Sequence, residues 1–112
     1  EFFEDDIRVI FQKKYKYLID LNFETIAVIS KCLRMKLEFD STTEYFHEVD
    51  KTIIKDYRFL VEGKKDVSAF EMYPQVFDDK YGFINNLSVL DLLFNEGKFT
   101  SDYLKAQTII LQ

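Results

Sequence analysis

Hydrophobic residues recur at helical spacing through the first third of the chain. From Phe2 to about Ile19 the apolar side chains fall on one helical stripe, and most polar side chains lie outside it. Asp20-Leu21-Asn22 interrupts this pattern, and Asn22 is a residue type that caps helices. The following segment, Phe23–Met35, is apolar around most of its circumference, which is typical of a buried helix. The pattern therefore predicts two helices, with the second at the centre of the fold.

The middle of the chain carries shorter and less regular patterns. Lys36-Leu37-Glu38-Phe39-Asp40 alternates in the way of a short, half-buried strand. Ser41 and Glu44 have the spacing of a capping box, which predicts a short helix through Val49, and Asp50 is suited to begin another. The segment 62–66 is polar and contains a glycine, so it is predicted to be a surface loop.

The last third combines an extended segment with two more helices. Residues 67–77 are predicted to be extended, since Pro74 disfavours helical dihedral angles at Tyr73. Asn86 is suited to cap a helix that ends with Gly97 just past its last turn, and a final helix is predicted over 100–108. The residues expected to form the core are Ile26, Ile29, Leu33, Leu90, Leu93 and Phe94.

These elements predict a mainly α fold (α+β at most), a compact helical domain with two or three short strands. The likeliest strands are 37–40 and part of 69–77, which could pair with each other. At 112 residues the chain is expected to be a single domain, 1–112. One proline and three glycines argue against a turn-rich β-sandwich.

Charge and composition limit the partners. A net charge of −5 argues against binding to nucleic acid or to an anionic membrane. No window of about 18 consecutive apolar residues occurs, so no membrane span is predicted. The single cysteine, Cys32, excludes an intrachain disulfide and suggests a cytoplasmic location.

Few side chains are arranged for chemistry. Asp91 and Asn95 are spaced i, i+4 on one predicted helix and so share a face. They could orient a ligand, or they could bond each other or nearby backbone. Gln75 is the best polar candidate for a ligand contact, because it stands in an extended apolar stretch. Carboxylates near His47 could orient it, but they lie where a solvated helix face would put them, and Cys32 has no base beside it in the sequence. No cofactor or metal motif occurs.

Two neighbouring stretches carry a resemblance to a known family. They are Tyr73-Pro74-Gln75-Val76-Phe77 and the run from Tyr81 to Gly97, which reads YGFINNLSVLDLLFNEG. Together they resemble the C-terminal signature of the WbqC-like family, roughly Y-x-Q-V-F, a short acidic stretch, and G-F-I-P-N-L-S-[IV]-[IL]-D-L-L-F-N-E-G. Asn85 and Lys98 depart from it, because the family usually has proline at both positions. Further segments also resemble family members: Glu4-Asp5-Asp6, Lys13-Lys14-Tyr15, Leu18-Ile19-Asp20-Leu21-Asn22 and Ser41-Thr42-Thr43-Glu44-Tyr45. The resemblance therefore covers nearly all of this chain but only about half of a family member.

The resemblance implies that the chain is the C-terminal part of a longer WbqC-like protein. Such a protein would act in bacterial surface-polysaccharide (O-antigen-type) biosynthesis by transferring a small, glycyl-type group to a sugar. Gln75, Asp91 and Asn95 would then face the ligand, while the catalytic residues remain unknown. The expected partner is a missing N-terminal half, and a start at Glu1 instead of Met agrees with this expectation.

The alternative is a helical interaction module without chemistry of its own. It would self-associate as a homo-oligomer or dock on the missing half. Twelve Phe and seven Tyr in a short chain favour either reading, because rings beyond those of the core would cover a partner surface.

Overall fold

The computed structural model of this chain describes residues 2–62 and 67–111, and its regular structure is helical. The predicted surface loop at 62–66 falls mostly outside these residues. The α-helices are α1 (Glu4–Gln12), α2 (Leu18–Leu33), α3 (Asp78–Tyr81), α4 (Val89–Glu96) and α5 (Thr100–Ala106), with 3₁₀ turns at Arg58–Val61 and Gly97–Phe99. The prediction of a mainly α fold is confirmed.

The prediction of two or three short strands is wrong, because the described residues contain no strand. In the predicted strand 69–77, side chains from elsewhere in the chain accept the backbone hydrogen bonds that a neighbouring strand would otherwise accept. The Phe70 N–H donates to the Asn85 side chain, and the Glu71 N–H donates to the Gln107 side chain at 2.9 Å. At 37–40, Phe39 instead stacks on Phe23, with ring centroids 5.7 Å apart.

The turn between the first two helices lies earlier in the chain than predicted. Asn22 does not cap a helix: it lies inside α2, which begins at Leu18 after an extended Tyr17. Lys13 bridges to Glu24 at 2.6 Å, and Lys31 bridges to Asp6 at 2.7 Å. Two ion pairs therefore cross between the α1 region and α2, and the chain turns at 13–17 instead of 20–22.

The helices predicted after Ser41 and Asp50 do not form. Asp50 instead organises a single turn, in which its carboxylate accepts hydrogen bonds from the Thr52 N–H and hydroxyl at 2.9 and 2.6 Å. Arg58 pairs with Asp56 and donates to the carbonyls of Phe46 and His47. This part of the chain is therefore held by side chain–backbone contacts.

The helix predicted from Asn86 is shorter at its N-terminus. The Ser88 hydroxyl caps α4 by accepting a hydrogen bond from the Leu90 N–H, whereas Asn86 has a left-handed φ of 57°. The predicted end at Gly97 is confirmed, and its φ of 54° lies in the region that glycine tolerates best. The final helix ends at Ala106, two residues earlier than predicted.

The core is small. Its buried hydrophobic side chains are Ile7, Leu92 and Leu93, and only the last, among the six predicted core residues, is fully buried. The predictions for Ile26 and Phe94 are wrong, since 40% and 56% of their surfaces are exposed. Ile26 is exposed because α2 packs chiefly against α1 and its opposite side stays open.

The chain exposes far more surface than its size requires. Its accessible surface is 9558 Å², whereas a folded monomer of this mass exposes about 6,500 Å². Its radius of gyration is 16.1 Å, against about 13 Å for a compact domain of this length. Roughly 3,000 Å² therefore remains open that a self-contained domain would cover.

Candidate functional site

The candidate residues lie in the C-terminal part of the structure, around the segment 68–75. Side-chain amides and hydroxyls attach this segment to the rest of the fold. Asn85 donates to the Ser68 carbonyl at 2.8 Å, and the Ser68 hydroxyl accepts from the Ile110 N–H at 2.7 Å. Tyr103 donates through its hydroxyl to the Glu71 carbonyl. Because each contact joins residues far apart in the sequence, together they fix the position of Tyr73.

Gln75 is buried, and both the nitrogen and the oxygen of its side-chain amide form hydrogen bonds. Its Nε2 donates to the Ile84 carbonyl at 2.8 Å, and its Oε1 accepts from the Ile84 N–H at 2.9 Å. The side chain thus imitates a strand partner for one residue of the following loop. Only 8% of Gln75 is exposed, so the amide serves to close the loop.

Asp91 accepts a hydrogen bond from the Tyr73 hydroxyl at 2.6 Å, across elements 18 residues apart. Two causes raise the pKa of Tyr73 to about 12: burial is the larger, and the hydrogen bond to the Asp91 carboxylate is the smaller. A hydrogen bond with the Gln75 side chain acts in the opposite direction. The phenol therefore stays protonated at neutral pH and donates to Asp91. Such a pair can present an oriented carboxylate or pass a proton. Tyr73 also links Asp91 to Gln75, which are two of the candidate site residues named from the sequence.

Asn95 lies one turn beyond Asp91 on α4, as its spacing predicts. Its Nδ2 donates to the Asp91 backbone carbonyl at 2.8 Å and not to the carboxylate. The sequence left open a ligand role, a bond between the two side chains or a bond to backbone, and in the structure the Asn95 amide bonds the backbone of its own helix. The structure thus brings Asp91 and Asn95 to one side of α4, with the Asn95 amide engaged in the helix itself.

An apolar cavity of about 280 Å³ lies beside Tyr73. Residues from the 68–75 segment, α4, α5 and the C-terminal segment line it, mostly through apolar or aromatic surface: Phe70, Tyr73, Leu92, Tyr103, Leu104 and Ile109. The Tyr73 ring meets those of Tyr103 and Phe83 edge to face, with centroids 5.4 and 5.6 Å away. The cavity can accept a small apolar or aromatic group.

The sequence did not single out Tyr103 and Gln107, which shape this cavity. Gln107 accepts from the Glu71 N–H through Oε1 and donates through Nε2 to the Tyr103 carbonyl. Their i, i+4 spacing near the last helix was the available signal, but the segment that they contact lies more than 30 residues earlier. A local pattern could not reveal that contact.

The other titratable candidates are dispersed. Burial raises the pKa of the Cys32 thiol, and the nearby Asp6 carboxylate acts in the same direction. His47 contributes its backbone carbonyl to Arg58. Among the residues that the structure describes, no three His, Cys, Asp or Glu side chains are grouped to hold a metal ion. Within the same ranges, no helix is long and apolar enough to cross a membrane.

Comparison of the chain with models of known protein families, with curated protein sequences and with solved structures gave no match.

Proposed function

We propose that this chain is a helical interaction module, which completes a larger unit by packing against a further polypeptide. The observation that carries this proposal is the roughly 3,000 Å² of surface open beyond that of an ordinary monomer. An interface between two chains of standard size covers about 800 Å² on each partner, and obligate interfaces cover more. The open surface is therefore sufficient for an extensive interface.

The surface for the further polypeptide consists of exposed aromatic and apolar side chains in two regions. On the α1 side, Phe2 and Phe11 are 84% and 80% exposed. Around α3, the exposed side chains are Met72, Val76, Phe77 and Tyr81. The exposed rings agree with the expectation from composition that aromatic side chains beyond those of the core would cover a partner surface. Patches of this kind are uncommon on self-contained proteins and mark interaction sites.

The resemblance to the WbqC-like family gives the partner a proposed identity, an N-terminal half of the same protein. The experiment compares the isolated 112-residue chain with the complete product of its reading frame. Phe11→Lys and Phe77→Lys are made in both proteins, and unfolding is followed in urea. Each ring is largely exposed in the isolated chain, so we expect a change within about 0.5 kcal/mol there. In the complete product the same changes place a charge in an interface, and a loss of about 2 kcal/mol or more is expected.

Gln12→Lys is the matched control, since it adds the same charge at an exposed polar position of α1 and should be neutral in both proteins. Equal effects of Phe11→Lys in the isolated chain and in the complete product would refute this proposal.

A second candidate is the C-terminal part of a small-group transferase acting in surface-polysaccharide biosynthesis. The contact that supports it is made by Tyr73, which lines the apolar cavity and donates a hydrogen bond to the Asp91 carboxylate, although Asp91 itself is not part of the lining. In the complete product, Asp91→Asn should then lower transfer of the small group to a sugar nucleotide while preserving the fold. Lys105→Gln is the control, because this exposed residue of α5 does not line the cavity. Full activity of Asp91→Asn would place the site elsewhere.

A further inference from the structure

The cavity beside Tyr73 is lined by three aromatic rings, those of Phe70, Tyr73 and Tyr103. The planes of the Tyr73 and Tyr103 rings are 78° apart and their centroids are 5.4 Å apart, so the two rings form adjoining walls. The cavity volume is about 280 Å³, whereas an apolar cavity of about 150 Å³ is enough to hold benzene. A compact group such as trimethylammonium therefore has room against these rings.

Three carboxylates lie near the two tyrosines. The Tyr73 hydroxyl donates to the Asp91 carboxylate at 2.6 Å. Burial raises the pKa of Tyr103, and the Glu71 and Glu96 carboxylates act in the same direction, so their negative charge reaches that phenol. Within the described residues, none of the three carboxylates forms an ion pair. The potential around the two tyrosines is therefore negative, which attracts a cation.

The tyrosine rings themselves also favour positive charge. The face of an aromatic ring carries partial negative charge and attracts a cation that lies over it. A phenol that donates to a carboxylate is polarised, which makes its ring more electron-rich and strengthens this attraction. Among the described residues, the lysine and arginine side chains that lie over a ring do so at other positions: Tyr17, Tyr45, Tyr81 and Phe99. No described cation of the chain thus lies over the rings of the cavity.

The polar groups of the cavity wall are already in use. The hydroxyls of Tyr73 and Tyr103 donate to a carboxylate and to a backbone carbonyl that lie outside the lining. The Gln107 amide is bonded through both its nitrogen and its oxygen, and Asn86, the remaining polar residue of the lining, also has an interaction within the chain. A primary ammonium group brings three N–H donors that need acceptors, whereas a quaternary ammonium group brings none. The wall therefore suits a quaternary cation.

We propose that this cavity binds a small organic cation with a trimethylammonium-type group, which lies against the Tyr73 and Tyr103 rings. Asp91 supplies negative charge behind the Tyr73 phenol, and Glu71 and Glu96 add to it. A neutral group of the same shape gains burial in the cavity but lacks the attraction to the rings and carboxylates. Binding of the cation requires neither a further polypeptide nor a transfer reaction, so it can hold or fail independently of both proposed functions.

The first test compares two ligands of one shape. The 112-residue chain is titrated at constant ionic strength with choline and, separately, with its uncharged isostere, in which a tert-butyl group replaces the trimethylammonium group. Binding is followed through the methyl NMR signals of Leu92 and Leu104, which line the cavity. We expect saturable binding of choline with a dissociation constant in the millimolar range, and binding of the isostere at least about tenfold weaker. The N-methyl protons of bound choline should shift upfield, because the ring faces shield them.

Two variants then test the source of the attraction. Asp91→Asn removes a charge and keeps an acceptor for the Tyr73 hydroxyl, so it should weaken choline binding about threefold and leave the isostere unaffected. Asp40→Asn is the matched control, because it makes the same change in net charge at an exposed position outside the cavity lining. Circular dichroism verifies that both variants keep their helices.

The comparison of the two ligands needs no variant, so it decides the matter even if Asp91→Asn does not fold. Isostere binding as tight as that of choline would overturn the proposal in favour of a purely apolar cavity. An absence of saturable choline binding would also overturn it. Equal weakening of choline binding by Asp91→Asn and Asp40→Asn would do so as well, because the attraction would then come from net charge alone.

Discussion

The contact between Gln75 and Ile84 allows a sharp prediction about stability. Gln75→Ala removes both hydrogen bonds to the Ile84 backbone, of 2.8 and 2.9 Å. A typical internal hydrogen bond contributes about 1 kcal/mol, and an amide left unpaired in a buried place costs more. Ile84 is 45% exposed, so water can replace part of the contact. We therefore expect a loss of about 2 kcal/mol in the free energy of unfolding.

The assay is urea unfolding followed by circular dichroism at a low, fixed protein concentration. The slope of free energy against urea should be unchanged, because the same surface is exposed on unfolding. This outcome differs from the simple expectation for a ligand-facing side chain, whose removal would leave folding intact.

Gln75→Glu is the matched variant that isolates the donor. Its ionised carboxylate would face the Ile84 carbonyl, so the protonated form is favoured and the folded-state pKa lies above the unfolded value. The stability of this variant should therefore be highest at acid pH and should fall as the pH rises through the folded-state pKa. A loss below about 0.5 kcal/mol for Gln75→Ala, or a Gln75→Glu variant that follows the wild-type pH profile, would refute the reasoning.

The remaining predictions concern the core, the half-buried Tyr73 and the Asp56 carboxylate. Leu93→Ala should lower the free energy of unfolding by about 2–5 kcal/mol, because the Leu93 side chain is fully buried. Phe94→Ala should lower it by less than about 1.5 kcal/mol, because more than half of that ring is exposed, and urea titration compares the two variants. Tyr73→Phe should cost about 1–2 kcal/mol through loss of the bond to Asp91, and spectrophotometric titration of the wild type should show one phenol ionising near pH 12. Hydrogen bonds from the Arg58 side chain and N–H lower the pKa of Asp56 to about 2. The stability that this pair gives is therefore present above about pH 4 and is lost as the pH falls towards 2. The pH profile of Asp56→Asn should lack that loss, and an acid profile unchanged from the wild type would contradict the prediction.

The sequence predicted the helical class well because periodicity is a local property. α4, its end at Gly97 and the burial of Leu93 follow from apolar spacing and from a glycine suited to positive φ. The starts of helices were less predictable. Asn22 and Asn86 are good capping residues by type, but Ser88 caps α4, and the break between α1 and α2 lies at 13–17, where no capping residue marks it.

The predicted strands failed because a strand needs a partner, and alternation alone does not supply one. The groups that bind the 68–75 backbone are side chains from Asn85, Tyr103 and Gln107, which no local pattern identifies. The same limit applies to the candidate site. The spacing of Asp91 and Asn95 was visible in the sequence, whereas the bond from Tyr73 to Asp91 depends on the tertiary fold.

The burial of α2 was predicted from its apolar circumference, yet much of its outer side is exposed in this chain. This disagreement has a physical meaning. A helix of such composition normally packs on both sides, so the exposed outer side of α2 supports the proposal that this chain packs against a further polypeptide.

Hydrogen exchange tests the central claim most directly, that a further polypeptide covers the open apolar surface of this chain. The measurement compares backbone exchange of residues 4–12 and 72–81 in the isolated chain with that in the complete product of the reading frame. Both samples are held at a concentration where the isolated chain is monomeric. We predict that exchange in both segments slows by at least about tenfold in the complete product, since covering these side chains suppresses local opening. Equal exchange in the two proteins would contradict the claim.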